Sequence, residues 1–301
     1  MAEAADNLKR KIRVSEITAY KVCPRMYYYR YVCGLVPKSE SPKLFLGKGV
    51  HAGIAAYYCS GNSRRAALEA FDSWVEDESA NLLNGDALMK DVELGRGLVG
   101  AYCDYASAHD NFVPMRHEGE FCIEQPFSVP VWDEGGNPLD GVHYTGTFDG
   151  IAVDAHGNYW LLEHKTASSF PSDITLRLDE QAGFYLLAAS MLLPEPPVGV
   201  IYNVMRKVMP EKARQAVVKR YHVVRTPYEL EQLRKRLYYA YVTITSDKLF
   251  MPSPGLHCGW RCAYSQLCVC EHEGVDPQPL VDEFYRREGD AQVEDDQEDV
   301  A

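Results

Sequence analysis

Residues 145–169 read TGTFDGIAVDAHGNYWLLEHKTASS, and the fold turns on how this stretch is laid out. Positions 147–153 mix β-branched, apolar and small residues, the composition of a half-buried strand. Positions 154–158 are turn chemistry, with Gly157 and Asn158 tolerating positive φ. Positions 159–165 then return as the antiparallel partner. Side chains alternate faces along a strand, so Glu163 and Lys165 share one face and His164 takes the other. In a hairpin of this length Asp149 comes close to Glu163. Two carboxylates and an ammonium on one sheet edge suit a hard divalent cation and the phosphate it binds.

A Glu and a Lys two apart are, taken alone, an ordinary solvated strand face, found about once by chance in a chain of this size. The context distinguishes this pair. Gly146 and Gly150 flank Asp149, and an apolar run leads directly into Glu163. Downstream, 179–189 reads as a helix on which Gln181 and Tyr185, four apart, share a face. Strands follow at 198–204 and 216–224, and a helix at 228–248 carries Arg234, Lys235 and Arg236. Upstream, 117–131 has strand character, and Glu124 either faces the same edge or is a plain exposed strand glutamate. Helices at about 63–83 and 87–109 show apolar spacing and no evident chemistry. Before them, 44–58 is helical, with Gly47 and Gly49 allowing close approach and His51 one turn in. A first helix starts near Val14 with Ser15 as N-cap. It leads to Cys23-Pro24 and the tyrosine-rich run 26–31, which either stacks on bases or packs into the domain.

The 301 residues, 46% of them hydrophobic, can bury a substantial core. No apolar run is long enough to span a bilayer and no signal peptide is legible, so an intracellular protein is expected. The formal charge is −12, of which the tail 286–301, with seven acids against two bases, carries −5. That balance argues against non-specific coating of duplexes and leaves room for a local basic channel. Arg206, Lys207, Lys212, Arg214, Lys219 and Arg220 crowd a segment whose one acid is Glu211.

The nine cysteines form two sets. Cys33, Cys59, Cys103 and Cys122 sit among apolar neighbours and are expected in the core. Cys23, Cys258, Cys262, Cys268 and Cys270 look different, four of them within thirteen residues, and clustered thiols without a secretory signal point to a metal or cluster.

Together these pieces resemble the PD-(D/E)XK nuclease superfamily, in its RecB-like exonuclease branch with an iron–sulfur cluster, to which phage exonucleases and a CRISPR-associated exonuclease belong. The resemblance rests on Gly47 to His51, Glu124, Gly146 to Asp149, Glu163 to Lys165 and Gln181 to Tyr185, in that order. It covers 15 to about 272. It implies an α/β fold with a restriction-endonuclease-like core, a mixed central sheet flanked by helices, an N-terminal helical region and a C-terminal cysteine cluster. The expected layout is a flexible arm at 1–12, one nuclease domain at 13–285 and a disordered acidic tail at 286–301. Within the domain, the helical part is about 13–115, the sheet core about 116–225 and the C-terminal helix and cluster about 226–272.

The resemblance further implies that Asp149, Glu163 and Lys165 are catalytic. His51, Asp149, Glu163 and the His164 carbonyl would hold Mg²⁺ or Mn²⁺, with Glu124 available to a second metal. Lys165 would orient or deprotonate the attacking water, and Gln181 and Tyr185 would hold the scissile strand. A His among oxygen ligands leans toward Mn²⁺. By the same resemblance Cys23, Cys258, Cys262 and Cys268 would hold a [4Fe–4S] cluster. Cys258 and Cys262 are separated by three residues where the family has two, and Cys270 is an alternative ligand. Four thiolates suit Zn²⁺ equally well. The function expected is a metal-dependent DNA exonuclease acting on DNA ends or single strands in recombination, replication or repair. The alternatives are a CRISPR spacer-trimming nuclease and a non-catalytic DNA-binding scaffold, and the acidic tail offers a surface to a protein partner.

Overall fold

The hairpin read from 145–169 forms, as the centre of a longer antiparallel pair. The structure, a computed structural model, describes residues 10–38, 42–79, 85–213 and 215–288. The arm at 1–9, the tail from 289, Arg214 and positions 80–83 of an expected helix lie outside the described residues.

The chain opens with strand β1 (Arg10–Ile12), helices α1 (Val14–Val22) and α2 (Pro24–Tyr27), a π-helical turn over Tyr28–Val32, and β2 (Leu35–Pro37). Three long helices follow, α3 (Pro42–Cys59), α4 (Arg64–Ser79) and α5 (Gly85–His109). Next come the short strands β3 (Phe112–Pro114), β4 (Arg116–His117) and β5 (Glu120–Phe121), then β6 (Ile123–Trp132), β7 (Pro138–Asp154) and β8 (Tyr159–Ala167). Helices α6 (Asp173–Arg177) and α7 (Glu180–Leu192) lead to β9 (Gly199–Arg206), a 3₁₀ turn at Pro210–Lys212 and β10 (Val218–Val224). The chain closes with α8 (Pro227–Ser246), α9 (His257–Trp260), α10 (Ser265–Glu273), α11 (Gln278–Phe284) and β11 (Tyr285–Arg287). Two compact units divide these elements: residues 1–11 with 41–238, and 12–40 with 239–301.

The first unit is built on a seven-stranded sheet of order β1-β7-β8-β9-β10, with β3 and β6 also paired to β7. β7 and β8 are antiparallel, Gly150 opposite Leu162 and Val153 opposite Tyr159. The turn closes through Asp154, whose Oδ1 accepts the His156 and Asn158 amides at 2.8 and 3.0 Å, with Gly157 at φ 83°. β8 and β9 are parallel, Lys165 opposite Val204, after a crossover through α6 and α7. This is the expected mixed sheet flanked by helices.

On α3, Val50, Ile54 and Tyr57 fall on one face at helical spacing and pack with Phe71, Val99 and Tyr102 from α4 and α5. Burying each such side chain is worth about 1.5–3 kcal/mol. Gly53 makes that approach possible: a Cβ there would meet Val99 Cγ2 at 2.9 Å and the Ala67 carbonyl oxygen at 3.0 Å. The helices thus hold His51, the neighbour of Val50, against the sheet.

In the second unit β2 pairs with β11, and Tyr264 donates to the Leu35 carbonyl at 2.7 Å. The tyrosine run resolves toward packing: Tyr27 and Tyr29 are buried, and Tyr27 and Tyr28 lie 5.9 and 5.4 Å from the Phe250 ring. Arg286 and Arg287, read from the sequence as tail, pair in β11 with Val36 and Leu35. Ser15 lies inside α1; the cap is Arg13, in extended conformation, whose amide is taken by Glu16 Oε1 at 3.2 Å. Cys103 and Cys122 are buried as expected, Cys33 is half-buried, and Cys59 is exposed because the last residue of α3 turns off its buried face.

Gly53→Val forces a branched side chain onto Val99 and a backbone oxygen. Chemical denaturation should show a loss of about 1–3 kcal/mol, with the sheet otherwise retained.

Candidate active site

The site sits where α3, β6, β7, β8 and α7 meet in the first unit. Strand pairing accounts for its first half. With Gly150 opposite Leu162, Asp149 falls beside Glu163, and its Oδ2 accepts the His164 amide at 2.7 Å. On the other side, Ile123 pairs with Gly150 and Gln125 with Phe148, which leaves Glu124 between them, facing Asp149. Glu124 adopts φ 48°, a left-handed conformation that a non-glycine residue keeps only where its surroundings hold it. Gly146 is small for a reason: a Cβ would lie 2.7 Å from the Phe127 ring and 3.1 Å from that of Tyr185.

His51 arrives from α3. Its Nε2 lies 2.9 Å from the His164 carbonyl oxygen, and its Nδ1 lies 3.5 Å from both Glu124 Oε1 and Asp149 Oδ1. With Nε2 donating to that carbonyl, Nδ1 is left facing the two acids, the arrangement that orients a ligating imidazole once Nδ1 gives up its proton. One ligand atom from each of His51, Glu124 and Asp149 lies within 4.8 Å of the others, so the three could hold a metal ion. In the metal-free site, burial by itself would lower the His51 pKa, but Asp149 and Glu124 more than offset it and raise it well above the usual value.

Glu163 is turned elsewhere. Only 4% of its side chain is exposed, its Oε1 lies 3.6 Å from Lys165 Nζ, and its Oε2 is buried with no hydrogen-bond partner. Burial, with repulsion from Asp149, outweighs Lys165 and pushes its pKa up to about 8. Lys165 also donates to Asp179 Oδ2. Burial disfavours the ammonium, but Glu163 and Asp179 raise its pKa above the usual lysine value, so it stays charged. Asp179 caps α7 through the Gln181 amide at 3.1 Å, which ties the lysine to the helix carrying Gln181 and Tyr185. Tyr185 packs edge-on to Phe127 at 5.5 Å. The sequence-derived residues therefore converge, with one difference of grouping: Glu124 joins His51 and Asp149, while Glu163 faces Lys165.

In the second unit, Cys258 lies on α9, Cys262 just beyond it, and Cys268 and Cys270 on α10. Burial raises the Cys262 thiol, and Cys23 and Cys258 add to it; burial, Cys262 and Cys23 push Cys268 up to about 11. Cys262 is thus an electrostatic neighbour of Cys23, Cys258 and Cys268. Two residues along a helix, Cys270 faces away from Cys268.

The sequence profile of the PD-(D/E)XK nuclease superfamily matches residues 12–269. The chain belongs to that superfamily. Among solved structures, the nuclease is similar to a protein named SSO0001 at 17% identity, covering 89% of this chain and 88% of that one, with a TM-score of 0.38. It is also similar to a candidate exonuclease from Eubacterium rectale at 12% identity, covering 79% and 80%, with a TM-score of 0.43. No curated protein matches the sequence. Membership implies a nucleic-acid substrate, and no helix among the described residues is long and apolar enough to cross a membrane.

The nuclease site also rests on residues that no motif singles out. The buried His164 ring stacks on Tyr58 and meets Tyr102 edge-on at 5.3 Å; its Nδ1 lies 3.4 Å from Asn203 Nδ2. Asn203 Oδ1 accepts Arg220 Nε at 2.7 Å, and Arg220 pairs with Asp110 Oδ1 at 2.7 Å. Arg220, grouped by sequence with a basic channel, is instead a buried ion-pair partner, 5% exposed. Breaking such a pair from one side costs about 3–5 kcal/mol. Asp179 was legible only as the first residue of a helix; its contact with Lys165 joins two elements and leaves no local signal.

Glu163 binds a proton up to about pH 8 in the fold but only below about 4.5 when unfolded. Its contribution to stability is therefore lost as pH rises from about 5 to 8, at most about 1.4 kcal/mol per pH unit. Thermal melts of metal-free protein should show this decline, and Glu163→Gln should flatten it relative to wild type.

Proposed function

We propose that the protein is a metal-dependent DNA exonuclease acting on DNA ends or single strands, in recombination, replication or repair. The observation that carries this reading is the His51, Glu124 and Asp149 donor group lying on one sheet edge with Glu163 and Lys165. The donor set, one imidazole and carboxylates, suits Mg²⁺ or Mn²⁺, and the partnerless Glu163 Oε2 is a further buried oxygen that a cation would satisfy. In this reading His51, Asp149 and Glu163 hold the metal, with the His164 carbonyl behind His51 and Glu124 serving the same ion or a second one. A bound dication supplies charge neutralisation at the phosphodiester and a more acidic water.

The remaining work falls to the chain's own groups. Lys165, kept charged by Glu163 and Asp179, donates hydrogen bonds to the attacking water or a phosphate oxygen and offsets negative charge as it builds. Gln181 and Tyr185, on the helix that Asp179 caps, hold the scissile strand. A scaffold without turnover has no need of a lysine clamped between two acids in a half-buried site.

We further propose membership of the RecB-like branch and a [4Fe–4S] cluster held by Cys23, Cys258, Cys262 and Cys268, with Zn²⁺ as the alternative occupant. The electrostatic coupling of Cys262 to Cys23 and Cys258, and of Cys268 to Cys262 and Cys23, supports it.

End-labelled single- and double-stranded DNA, incubated with Mn²⁺, Mg²⁺ or EDTA, tests the activity. Wild type should degrade DNA only with metal, and folded Lys165→Ala should be slower by roughly 10²-fold or more. Absence of cleavage by folded protein under every metal would sink the enzyme reading in favour of a scaffold. Iron, acid-labile sulfide and zinc analysis of anaerobically purified protein tests the cysteines. Cys268→Ala should lose the bound metal and Cys270→Ala should keep it; the reverse pattern would reassign the fourth ligand.

A further inference from the structure

A pocket of about 180 Å³ opens beside Asp179, between the end of α6, the start of α7 and the first turns of α8. The nuclease motifs do not reach it. Arg177, Leu178, Arg225, Tyr228, Gln232 and Arg236 line it, and Asp179 stands at once on its wall and against Lys165. We infer that this pocket is a subsite for one nucleotide of a single strand, adjoining the bond that is cut. The inference rests on the nuclease reading and deepens it by naming the form of nucleic acid the site accepts.

Three features carry it. The pocket is built on a fixed floor. The Arg225 side chain is only 7% exposed, and its guanidinium donates to the carbonyls of Arg177, Leu176 and Asp179, the last two at 3.3 and 3.4 Å. The second feature is charge. Arg225 faces Glu229 at 3.5 Å, Arg236 faces Glu180 at 3.6 Å, and Asp179 is engaged with Lys165. Arg177 is exposed and has no ion-pair partner among the described residues, so the pocket presents one uncompensated cation, suited to one phosphate. The third is an apolar lip. Tyr228 is 73% exposed and Leu178 71%, large surfaces left in water next to that cation. A ring or flat apolar surface beside a phosphate-binding arginine is what an unpaired nucleotide requires, its base stacking and its backbone neutralised. Bases inside a duplex are already stacked and cannot use such a surface. Asp179 links the pocket to the chemistry: a nucleotide seated there lies one residue from the group that holds Lys165.

The test uses full-length protein and a fluorescein-labelled oligothymidylate, with anisotropy read in EDTA so that nothing is cut. Arg177→Ala should weaken binding and reduce the salt dependence of log K by about one unit of slope. Tyr228→Ala should weaken it by roughly five- to a hundred-fold, and Tyr228→Phe, which keeps the ring, should restore it. Both residues are on the surface, and circular dichroism should show the fold unchanged. With Mn²⁺ present, hydrolysis of bis(p-nitrophenyl) phosphate, which carries no nucleotide, should match wild type in all three variants. Weakened oligonucleotide binding in a protein that cleaves no substrate would leave the subsite standing and remove the nuclease reading. Active protein whose variants bind the oligonucleotide like wild type would overturn the inference and leave the pocket to another partner, such as a peptide. Equal loss of small-substrate hydrolysis would also overturn it, by showing that the substitutions act through Asp179 and Lys165.

Discussion

The candidate site is referenced to the backbone of one residue, His164. Its N–H is fixed to Asp149 at 2.7 Å and its carbonyl lies 2.9 Å from His51. Two donor side chains from different elements, one on a strand and one on a helix, thus take their positions from the same few atoms of β8. The His164 ring anchors that strand on the opposite side, buried between Tyr58 and Tyr102 and followed by the Asn203, Arg220 and Asp110 chain. Burial drives the ring's pKa down to about 3, so it is a neutral core residue. An imidazole that never charges can serve as a rigid peg in the sheet.

Around this peg the metal-free site accumulates unfavourable electrostatics. Asp149 and Glu163 are close and shielded from water, Glu163 keeps a proton near neutrality, and one of its oxygens has no partner. Glu124 is held with positive φ where it meets His51 and Asp149. Each feature costs stability, and a cation among the carboxylates would relieve the electrostatic part of that cost. The fold tolerates the strain because the surrounding core is dense, with Phe148, Leu161 and Leu162 buried on the same hairpin. Lys165 brings a positive charge of the chain's own to the site, and Asp179 keeps it aimed from a third element.

Local sequence was sufficient wherever a property is local. The hairpin, its alternation of Glu163 and Lys165 against His164, the turn at Asp154 to Asn158, and the shared face of Gln181 and Tyr185 all follow from periods of two and 3.6 residues. The mixed sheet flanked by helices was implied by the family resemblance that the order of the motifs carries. Boundaries were less legible: β7 extends back to Pro138 because β6 pairs along its whole length, a long-range effect.

Tertiary structure alone decided the grouping of charges. Glu124 could be placed on a strand from its neighbours, but its meeting with His51 depends on a helix more than sixty residues upstream docking through Gly49 and Gly53. Arg220 read as one of a basic run and became a buried partner of Asp110, because α5 ends where β10 passes. Asp179 read as the first residue of a helix and became its cap and the partner of Lys165. A sequence states which charges a chain carries and on which face of its own element each one lies. Whether a charge is neutralised, buried or left free depends on groups that the fold brings from elsewhere, and Coulomb energies change several-fold with that placement.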